Sequence, residues 1–241
     1  MRNSLIHKNY CYSHLYNGDF FEWVSSSYKN SVDLILADPP FGVEWFLDFP
    51  FDKLLNFYDE VLSLAGTAIV DCRQPYASFL VAQRPDWYKY SYIWEKNRLS
   101  LRHFVKARPL EDYLEFFVFS KGEFHPTAKN QAKYRPQRPL CVPPGFVTGE
   151  CARTTLYHPV ATDRIHPGQK PLELLKWLIM SHTDPGDTVL DHVMGSGASG
   201  VAANELSRNF VGIEIDEDIF NSAVNWIKTG TMKESTSGPL F

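Results

Sequence analysis

Residues 187–214 read DTVLDHVMGSGASGVAANELSRNFVGIE, and this segment carries the clearest indication of fold class in the sequence. An apolar strand pattern leads into the glycine-rich segment Gly195–Gly200, and a helical pattern of small residues then leads to a second apolar strand. The glycine spacing is G-x-G-x-x-G, and Glu214 ends the second strand 19 residues after Gly195. This order of strand, glycine loop, helix, strand and acid predicts a site for a nucleoside-containing ligand.

If this segment is a ligand site, the glycine loop and Glu214 would contact the nucleoside part of the ligand. Glycines let the backbone approach a ligand closely, and a carboxylate at Glu214 can accept hydrogen bonds from two ribose hydroxyls. The alternative is a merely tight strand-to-helix turn. The motif alone does not distinguish a dinucleotide from S-adenosylmethionine. Only 41 residues follow Gly200, so the rest of the sheet has to come from the N-terminal half, which is a permuted order.

Strand and helix patterns alternate along much of the remaining chain, which argues for a largely parallel α/β sheet. Apolar runs predict strands at Val32–Ala37, Thr67–Val70, Tyr90–Trp94, Tyr113–Phe119, Asp187–Met194 and Phe210–Ile215. Amphipathic spacing predicts helices at 51–64, 171–180, 198–206 and 218–228.

A second motif, Asp38-Pro39-Pro40-Phe41, follows the predicted strand Val32–Ala37 at the carboxyl edge, where α/β sheets place their ligands. The Asp38 carboxylate and a carbonyl held by the prolines make two neighbouring acceptors. Accepting bonds from both N–H groups of an aromatic amine localises the nitrogen lone pair for attack. Phe41 offers a flat face for a base. The alternative is that the two prolines only form a sharp strand exit.

Several segments together resemble the DNA amino-methyltransferases, in the group whose catalytic motif precedes the cofactor motif. The family patterns are D-P-P-Y/F, H-P-x-Q-K-P, D-P-F-x-G-S-G and F-x-G-I-E-I-D, preceded by an early G-D pair. The similar segments here are Asp38–Phe41, His166–Pro171, Asp191–Gly197, Phe210–Asp216 and Gly18-Asp19. The resemblance covers residues ~15–120 and ~164–226. It implies a Rossmann-like S-adenosylmethionine-dependent methyltransferase fold with a mostly parallel seven-stranded sheet, circularly permuted, and an irregular insertion.

The resemblance also implies a role for each matching residue. Asp38, Pro39, Pro40 and Phe41 would form the catalytic motif. The cofactor would be S-adenosylmethionine, bound through its methionine part by Asp191, Gly195, Ser196 and Gly197, through its ribose by Glu214, through its methionine carboxylate by Lys170, and near its adenine by Asp19. Two departures lie against the cofactor: His192-Val193 replaces the usual Pro-Phe, and Ala198-Ser199 replaces the usual Thr pair.

The middle of the chain is basic although the net charge is −4. Residues 84–164 hold 14 Lys and Arg against 8 Asp and Glu. This local excess of positive charge indicates where a polyanion would bind, but the charge alone fits a chance asymmetry of a solvated surface equally well. The chain divides into a catalytic half (1–121), an insertion (122–165), a cofactor-binding half (166–228) and a flexible tail (229–241). We expect the insertion to recognise the target and to grip DNA phosphates through Lys129, Lys133, Arg135 and Arg138; the alternative is a solvated loop.

These observations predict methyl transfer to the exocyclic amino group of adenine in DNA, duplex or single-stranded, with the base flipped out of a duplex. Cytosine-N4 is the alternative target, because the chemistry at Asp38 serves either amine. In the resembling family, Asp at that position accompanies adenine more often and Ser accompanies cytosine. A nicotinamide-dependent dehydrogenase would leave Asp38–Phe41 and Lys170 unexplained. A non-catalytic nucleic-acid-binding relative is the third alternative.

Composition sets the expected setting of the protein. No apolar run approaches the ~20 residues of a membrane span, and Met1–Tyr10 has no secretory pattern, so we expect a cytoplasmic protein without membrane association. The four cysteines are expected as free thiols. We expect no metal, because His125, Cys141, Cys151 and His158 match no zinc spacing. A homodimer is an alternative to a monomer that the sequence leaves open.

Overall fold

The computed structural model describes residues 2–8, 11–23, 28–39, 50–100, 106, 109–122, 154–165 and 168–232. Its strands are β1 (Arg2–Lys8), β2 (Cys11–Asn17), β3 (Val32–Ala37), β4 (Leu62–Asp71), β5 (Tyr88–Ser100), β6 (Glu111–Ser120), β7 (Thr155–Tyr157), β8 (Thr188–Asp191) and β9 (Asn209–Glu214). Its helices, renumbered in chain order, are α1 (Phe51–Val61), α2 (Tyr76–Gln83), α3 (Leu172–His182), α4 (Ala198–Glu205) and α5 (Glu217–Thr229).

All these strands join one sheet in the order β1-β2-β9-β8-β3-β4-β6-β5-β7. Neighbouring strands from β2 to β4 in that order run parallel, and β7 runs parallel to β5. β6 is antiparallel to both of its neighbours, and β1 is antiparallel to β2. The predicted α/β fold with a mostly parallel sheet is therefore confirmed. The late strands β8 and β9 lie between the early strands β2 and β3, so both ends of the chain build the centre of the sheet.

The strand count differs from the predicted seven, because the described residues form nine strands. The two additional strands are at the edges: β1 forms a hairpin with β2, and β7 pairs with the outer side of β5. β7 falls inside the segment predicted as an insertion (122–165), so that segment returns to the sheet before it ends. Three residues with one buried side chain, Leu156, are too short a pattern for a strand to be recognised from the sequence.

Helices cover both faces of the sheet and divide the core into two apolar layers. On one face α3, α4 and α5 bury residues such as Leu178, Val201 and Phe220. On the other face α1 and α2 bury Leu54 and Leu80. The two layers shield both faces of the sheet from solvent, and for this reason the central strands have near-continuous apolar runs. No helix among the described residues is long and apolar enough to cross a membrane.

Strand β8 ends at Asp191, three residues earlier than the sequence pattern predicts. The carboxylate of Asp191 accepts the backbone N–H of Val193 at 3.1 Å, a local turn that takes the chain out of the sheet. The residues after this turn remain hydrogen-bonded to the neighbouring strand β9, because the Met194 N–H donates to the carbonyl of Ile213 at 2.9 Å. The turn brings the glycine loop to the carboxyl edge of the sheet.

Candidate active site at the carboxyl edge

Acidic residues stand at or just beyond the carboxyl ends of five adjacent parallel strands. In the spatial order β2, β9, β8, β3 and β4 they are Asp19, Glu214, Asp191, Asp38 and Asp71. We call this row the acidic rim. Because parallel strands end at the same edge, the sequence positions, which are far apart, become neighbours. Four of these residues were predicted as site residues from motifs; Asp71 was not.

Glu214 holds the glycine loop in place. Its Oε2 accepts the backbone N–H of Gly195 and its Oε1 accepts the backbone N–H of Asp216, both at 2.9 Å. The side chain is 8% exposed. A carboxylate has about four acceptor positions, so two remain for a ligand's hydroxyl groups. The structure therefore fixes the orientation of this carboxylate through two backbone donors.

Two glycines of the loop adopt left-handed backbone conformations, with φ of 50° at Gly195 and 79° at Gly197. A Cβ on Gly197 would come within 3.0 Å of side-chain atoms of Ala223 and Ile227 on α5. At Gly195 the nearest atom to such a Cβ would be a carbonyl oxygen 4.0 Å away. Gly197 is therefore required by packing, whereas Gly195 leaves its backbone open for the approach of a ligand.

Asp191 is a buried carboxylate with two protein donors. Its Oδ2 accepts the Ser199 hydroxyl at 2.6 Å, and Oδ1 accepts the Val193 N–H. Burial raises the pKa of Asp191 to about 7, against the effect of those two hydrogen bonds, and the charges of Asp38 and Glu214 raise it further. Although Ser199 departs from the usual family residue, it retains a hydroxyl that bonds to the motif aspartate.

The other departure, His192, lies in a buried aromatic cluster. Its Nε2 lies 2.8 Å from the Tyr58 hydroxyl of α1, and its ring centroid lies 4.3 Å from that of Phe20. Burial lowers the pKa of His192 to about 3, so the ring is neutral at physiological pH. It fills space behind the rim and links β8 to α1.

Lys170 bridges two of the rim acids. Its Nζ donates to Oδ2 of Asp38 at 2.5 Å and to Oδ2 of Asp71 at 2.9 Å. Burial would lower the pKa of Lys170, but the two carboxylates outweigh that effect and raise it above its ordinary value. Burial raises the pKa of Asp71 to about 6; Lys170 opposes this and Asp38 adds to it. Perturbed acids concentrated at one edge are typical of functional sites.

The predicted site residues therefore divide into two groups. The structure brings together Asp19, Asp38, Pro39, Lys170, Asp191, Gly195, Ser196, Gly197 and Glu214 along one edge of the sheet. Pro40 and Phe41 of the catalytic motif and the predicted DNA-binding residues Lys129, Lys133, Arg135 and Arg138 lie outside the described residues.

Asp71 is the rim residue that the sequence analysis missed. It follows the apolar run Ala68–Val70 in the same way that Asp38 follows Val32–Ala37. An acid directly after a buried parallel strand was the available signal. It carried no motif, and the pattern is common in α/β proteins, so it did not stand out.

Comparison with known proteins fits this geometry. The sequence model of the N6/N4 DNA methylases matches residues 32–225, which is most of the chain. The matched segment includes every residue of the acidic rim except Asp19. The chain belongs to the DNA methylase family. The cofactor of this family is S-adenosylmethionine. A curated relative, the type II methyltransferase M2.MboI of Moraxella bovis, is 24% identical over 235 residues, covering 83% of this chain and 82% of the relative.

Two solved structures are also similar to this DNA methylase. The M1.HpyAVI–SAM complex has a TM-score of 0.66 and 25% identity, covering 88% of this chain and 98% of that one. The cytosine-N4-specific PvuII DNA methyltransferase has a TM-score of 0.70 and 18% identity, covering 93% and 95% of the two chains. Family membership rules out the nicotinamide-dependent dehydrogenase that the glycine motif alone had left open.

The part of this DNA methylase that the structure describes contains no cluster of three or more His, Cys, Asp or Glu residues that could hold a metal ion. Of the residues weighed as zinc ligands, His158 is described and buried, and its backbone carbonyl accepts the indole N–H of Trp94 at 2.7 Å. Cys11 and Cys72 are buried thiols.

Proposed function

We propose that the protein transfers a methyl group from S-adenosylmethionine to the exocyclic amino group of adenine in DNA. One observation carries the proposal: Asp38 directly follows β3, and the neighbouring strand β8 ends at Asp191 and leads into the glycine loop. An acceptor for an amine and a cradle for a nucleoside cofactor therefore stand side by side on one sheet edge. Alignment of the two reactants is the main requirement of this reaction.

S-adenosylmethionine supplies a methyl group already activated by its sulfonium sulfur. The protein has to orient the amine, exclude water and accept hydrogen bonds from the amine N–H groups. Asp38 is 48% exposed in its side chain, so it can reach a base at the edge, while Pro39 beside it is buried and fixes the backbone. The amine nitrogen forms a bond to the methyl carbon while the carbon–sulfur bond breaks and leaves its electron pair on the sulfur. The methylated amine then loses one proton to a carboxylate of the site or to water. Hydrogen bonds from the amine to Asp38 favour the tetrahedral nitrogen of that step.

A base in a duplex cannot reach the rim, because its amine is held inside the stack. We infer that the target base is flipped out of a duplex or taken from a single strand. The predicted insertion, with its basic residues, would hold the phosphates on either side. This part of the proposal rests on the sequence, since most of that segment lies outside the described residues.

Adenine is favoured over cytosine because the first residue of the catalytic motif is Asp38 rather than serine. Cytosine-N4 is the second candidate target, because the fold is similar to that of a cytosine-N4-specific enzyme, with a TM-score of 0.70. Both bases present an amine conjugated to a ring nitrogen, so the acceptor at Asp38 serves either one.

The deciding experiment is to incubate purified protein with unmethylated DNA and isotope-labelled S-adenosylmethionine, digest the DNA to nucleosides and weigh them. Labelled N6-methyl-2′-deoxyadenosine supports the proposal. Labelled N4-methyl-2′-deoxycytidine without methylated deoxyadenosine transfers the function to the second candidate. If no labelled nucleoside forms with duplex or single-stranded DNA, the chain is a non-catalytic relative.

The role of Asp38 has its own test. Asp38→Ala should reduce methyl transfer by at least about 100-fold while changing the cofactor dissociation constant by less than about threefold, since this residue serves the transition state. Asp52→Ala, on the exposed surface of α1, is the matched control. Near-normal turnover of Asp38→Ala would refute the catalytic assignment.

A further inference from the structure

Asp71 is a buried acid for which the proposed reaction has so far no use. It is the last residue of β4, the strand next to β3, and it is 5% exposed. Its backbone is fixed on the other side by β6, where it pairs with Phe116, and the next N–H, that of Cys72, donates to the carbonyl of Glu115 at 3.2 Å. The position of this carboxylate is thus set by the sheet itself.

The charged groups around Asp71 favour an ion pair between Asp71 and Lys170. Asp71 interacts electrostatically with four charged side chains, namely Lys170, Asp38, Arg73 and Lys96. Arg73 is engaged by Glu111 at 3.5 Å, whereas Lys170 points between Asp71 and Asp38. A buried ammonium group needs a buried partner, and a buried carboxylate needs a cation, so each of Asp71 and Lys170 fixes the other.

Asp38 is the exposed member of this row. Its side chain is 48% exposed, compared with 12% for Lys170 and 5% for Asp71. An exposed carboxylate on its own rotates freely and exchanges its two oxygens. Within the described part of the chain, Oδ2 of Asp38 accepts the bond from Lys170 and Oδ1 has no partner, so Oδ1 is the oxygen that can accept a bond from a ligand. Two of the three N–H groups of Lys170 are used by Asp38 and Asp71, and the third has no acceptor among the same residues.

We propose that Asp71 is a positioning residue for methyl transfer: through Lys170 it holds Asp38 in the orientation in which Oδ1 accepts the target amine. This inference rests on the proposed role of Asp38. It assigns to Lys170 a task within the catalytic motif in addition to the predicted contact with the methionine carboxylate. Asp71 touches no reacting atom, and its effect on the rate passes through the lysine.

The test is a double-mutant cycle of Asp71→Asn and Lys170→Gln, read by single-turnover methyl transfer at saturating S-adenosylmethionine and unmethylated DNA. Asp71→Asn should slow transfer on the order of 100-fold, as expected for misplacement of a reacting group. Its dissociation constant for the cofactor should stay within about threefold of the wild-type value. The double variant should be no slower than Lys170→Gln alone, because the two residues act in series.

A merely structural role predicts a different outcome: a lower melting temperature with an unchanged rate for the folded protein. Asp59→Asn is the matched control, because it breaks the 2.9 Å ion pair with Lys121 far from the rim. If Asp71→Asn does not fold, Asp71→Glu keeps the charge but displaces it by one methylene, and a slower transfer with intact cofactor binding supports the proposal. Wild-type rates in either variant, or multiplicative losses in the cycle, overturn it.

Failure of this inference is distinguishable from failure of the proposed function. If Asp38→Ala abolishes transfer and Asp71→Asn leaves it unchanged, the reaction stands and the positioning role does not. If Asp38→Ala retains transfer, the catalytic assignment itself fails, and Asp71 has nothing to position.

Discussion

Oε2 of Glu214 accepts the backbone N–H of Gly195 at 2.9 Å, so the acid at the end of β9 holds the loop that follows the neighbouring strand β8. The bond explains why the acid and the glycines belong together although 19 residues separate them in the chain. The loop is preorganised by a residue that we also assign to the cofactor. On that assignment, we expect cofactor binding and local stability to depend on the same carboxylate.

The first prediction concerns this carboxylate. Glu214→Ala should weaken binding of S-adenosylmethionine by at least about tenfold, since it removes a charged acceptor for hydroxyl groups. It should also lower the free energy of unfolding by about 1–3 kcal/mol, because the N–H groups of Gly195 and Asp216 lose their acceptor. Titration calorimetry and urea denaturation measure the two effects. Glu60→Ala, at an exposed position of α1, is the control; unchanged cofactor affinity in Glu214→Ala would remove Glu214 from the site.

The second prediction separates the two left-handed glycines. Gly197→Ala should cost more stability than Gly195→Ala, because its Cβ would add contacts at 3.0 Å with α5 to the backbone strain that both variants share. The shared strain is about 1–2 kcal/mol. Gly195→Ala should instead weaken cofactor binding more, since its Cβ would project into open space beside Glu214. Melting curves with and without S-adenosylmethionine measure both effects, and the reverse ranking would contradict the assignment of roles.

The central strands and the motif residues could be predicted from the sequence because local signals and tertiary structure agree there. Val32–Ala37 is a strand with the predicted bounds, and the helix after the glycine loop starts at Ala198 as predicted. Strand β2 was missed for a physical reason. Its inward-facing residues Cys11, Ser13 and Leu15 include a hydroxyl, so its alternation is not apolar. The Ser13 hydroxyl is buried because it donates to Asn204 at 3.0 Å, a partner that only the folded chain supplies.

The same limit applies to the site. Recognisable motifs contain Asp38, Asp191 and Glu214. The late position of the glycine motif in the chain indicated only part of the strand order. The bridge from Lys170 to Asp38 joins residues 132 positions apart. A sequence pattern predicts which strand end an acid follows, but not which cation turns toward it. Contacts between strands that are distant in sequence therefore had to come from the structure.

The third prediction concerns the basic residues of the predicted insertion. Reversing the charge of Lys133, Arg135 and Arg138 together should weaken DNA binding and reduce the slope of log affinity against log salt by about 1 per lost phosphate contact. Cofactor affinity should not change. Reversal of Lys29, Lys53 and Lys228, which are exposed elsewhere, is the control. Identical DNA affinity of the variant and the wild type across a salt series would exclude these residues from the interface.

The last prediction uses the pKa of Asp191, which burial raises to about 7 from an ordinary value of 3.8. Between those two values the folded protein holds a proton at Asp191 that the unfolded chain has lost, so this residue makes stability fall as pH rises from about 4 to 7. Asp191→Asn removes the titration but keeps an oxygen that can accept the Val193 N–H. The variant should therefore gain stability relative to the wild type as pH rises.

The expected gain between pH 5 and pH 8 is about 1–4 kcal/mol, since each unit of pKa shift corresponds to about 1.4 kcal/mol. Urea denaturation at the two pH values measures it, and Asp52→Asn gives the baseline for an exposed aspartate. Asp71 titrates in both proteins, so its contribution cancels in the difference. The same variant should bind S-adenosylmethionine more weakly, because the negative charge that is costly in the free protein is the one that we assign to the cofactor. A stability difference that is the same at pH 5 and pH 8 would mean that Asp191 is ionised in the free protein across that range, and the rim would then carry its full negative charge before any ligand binds.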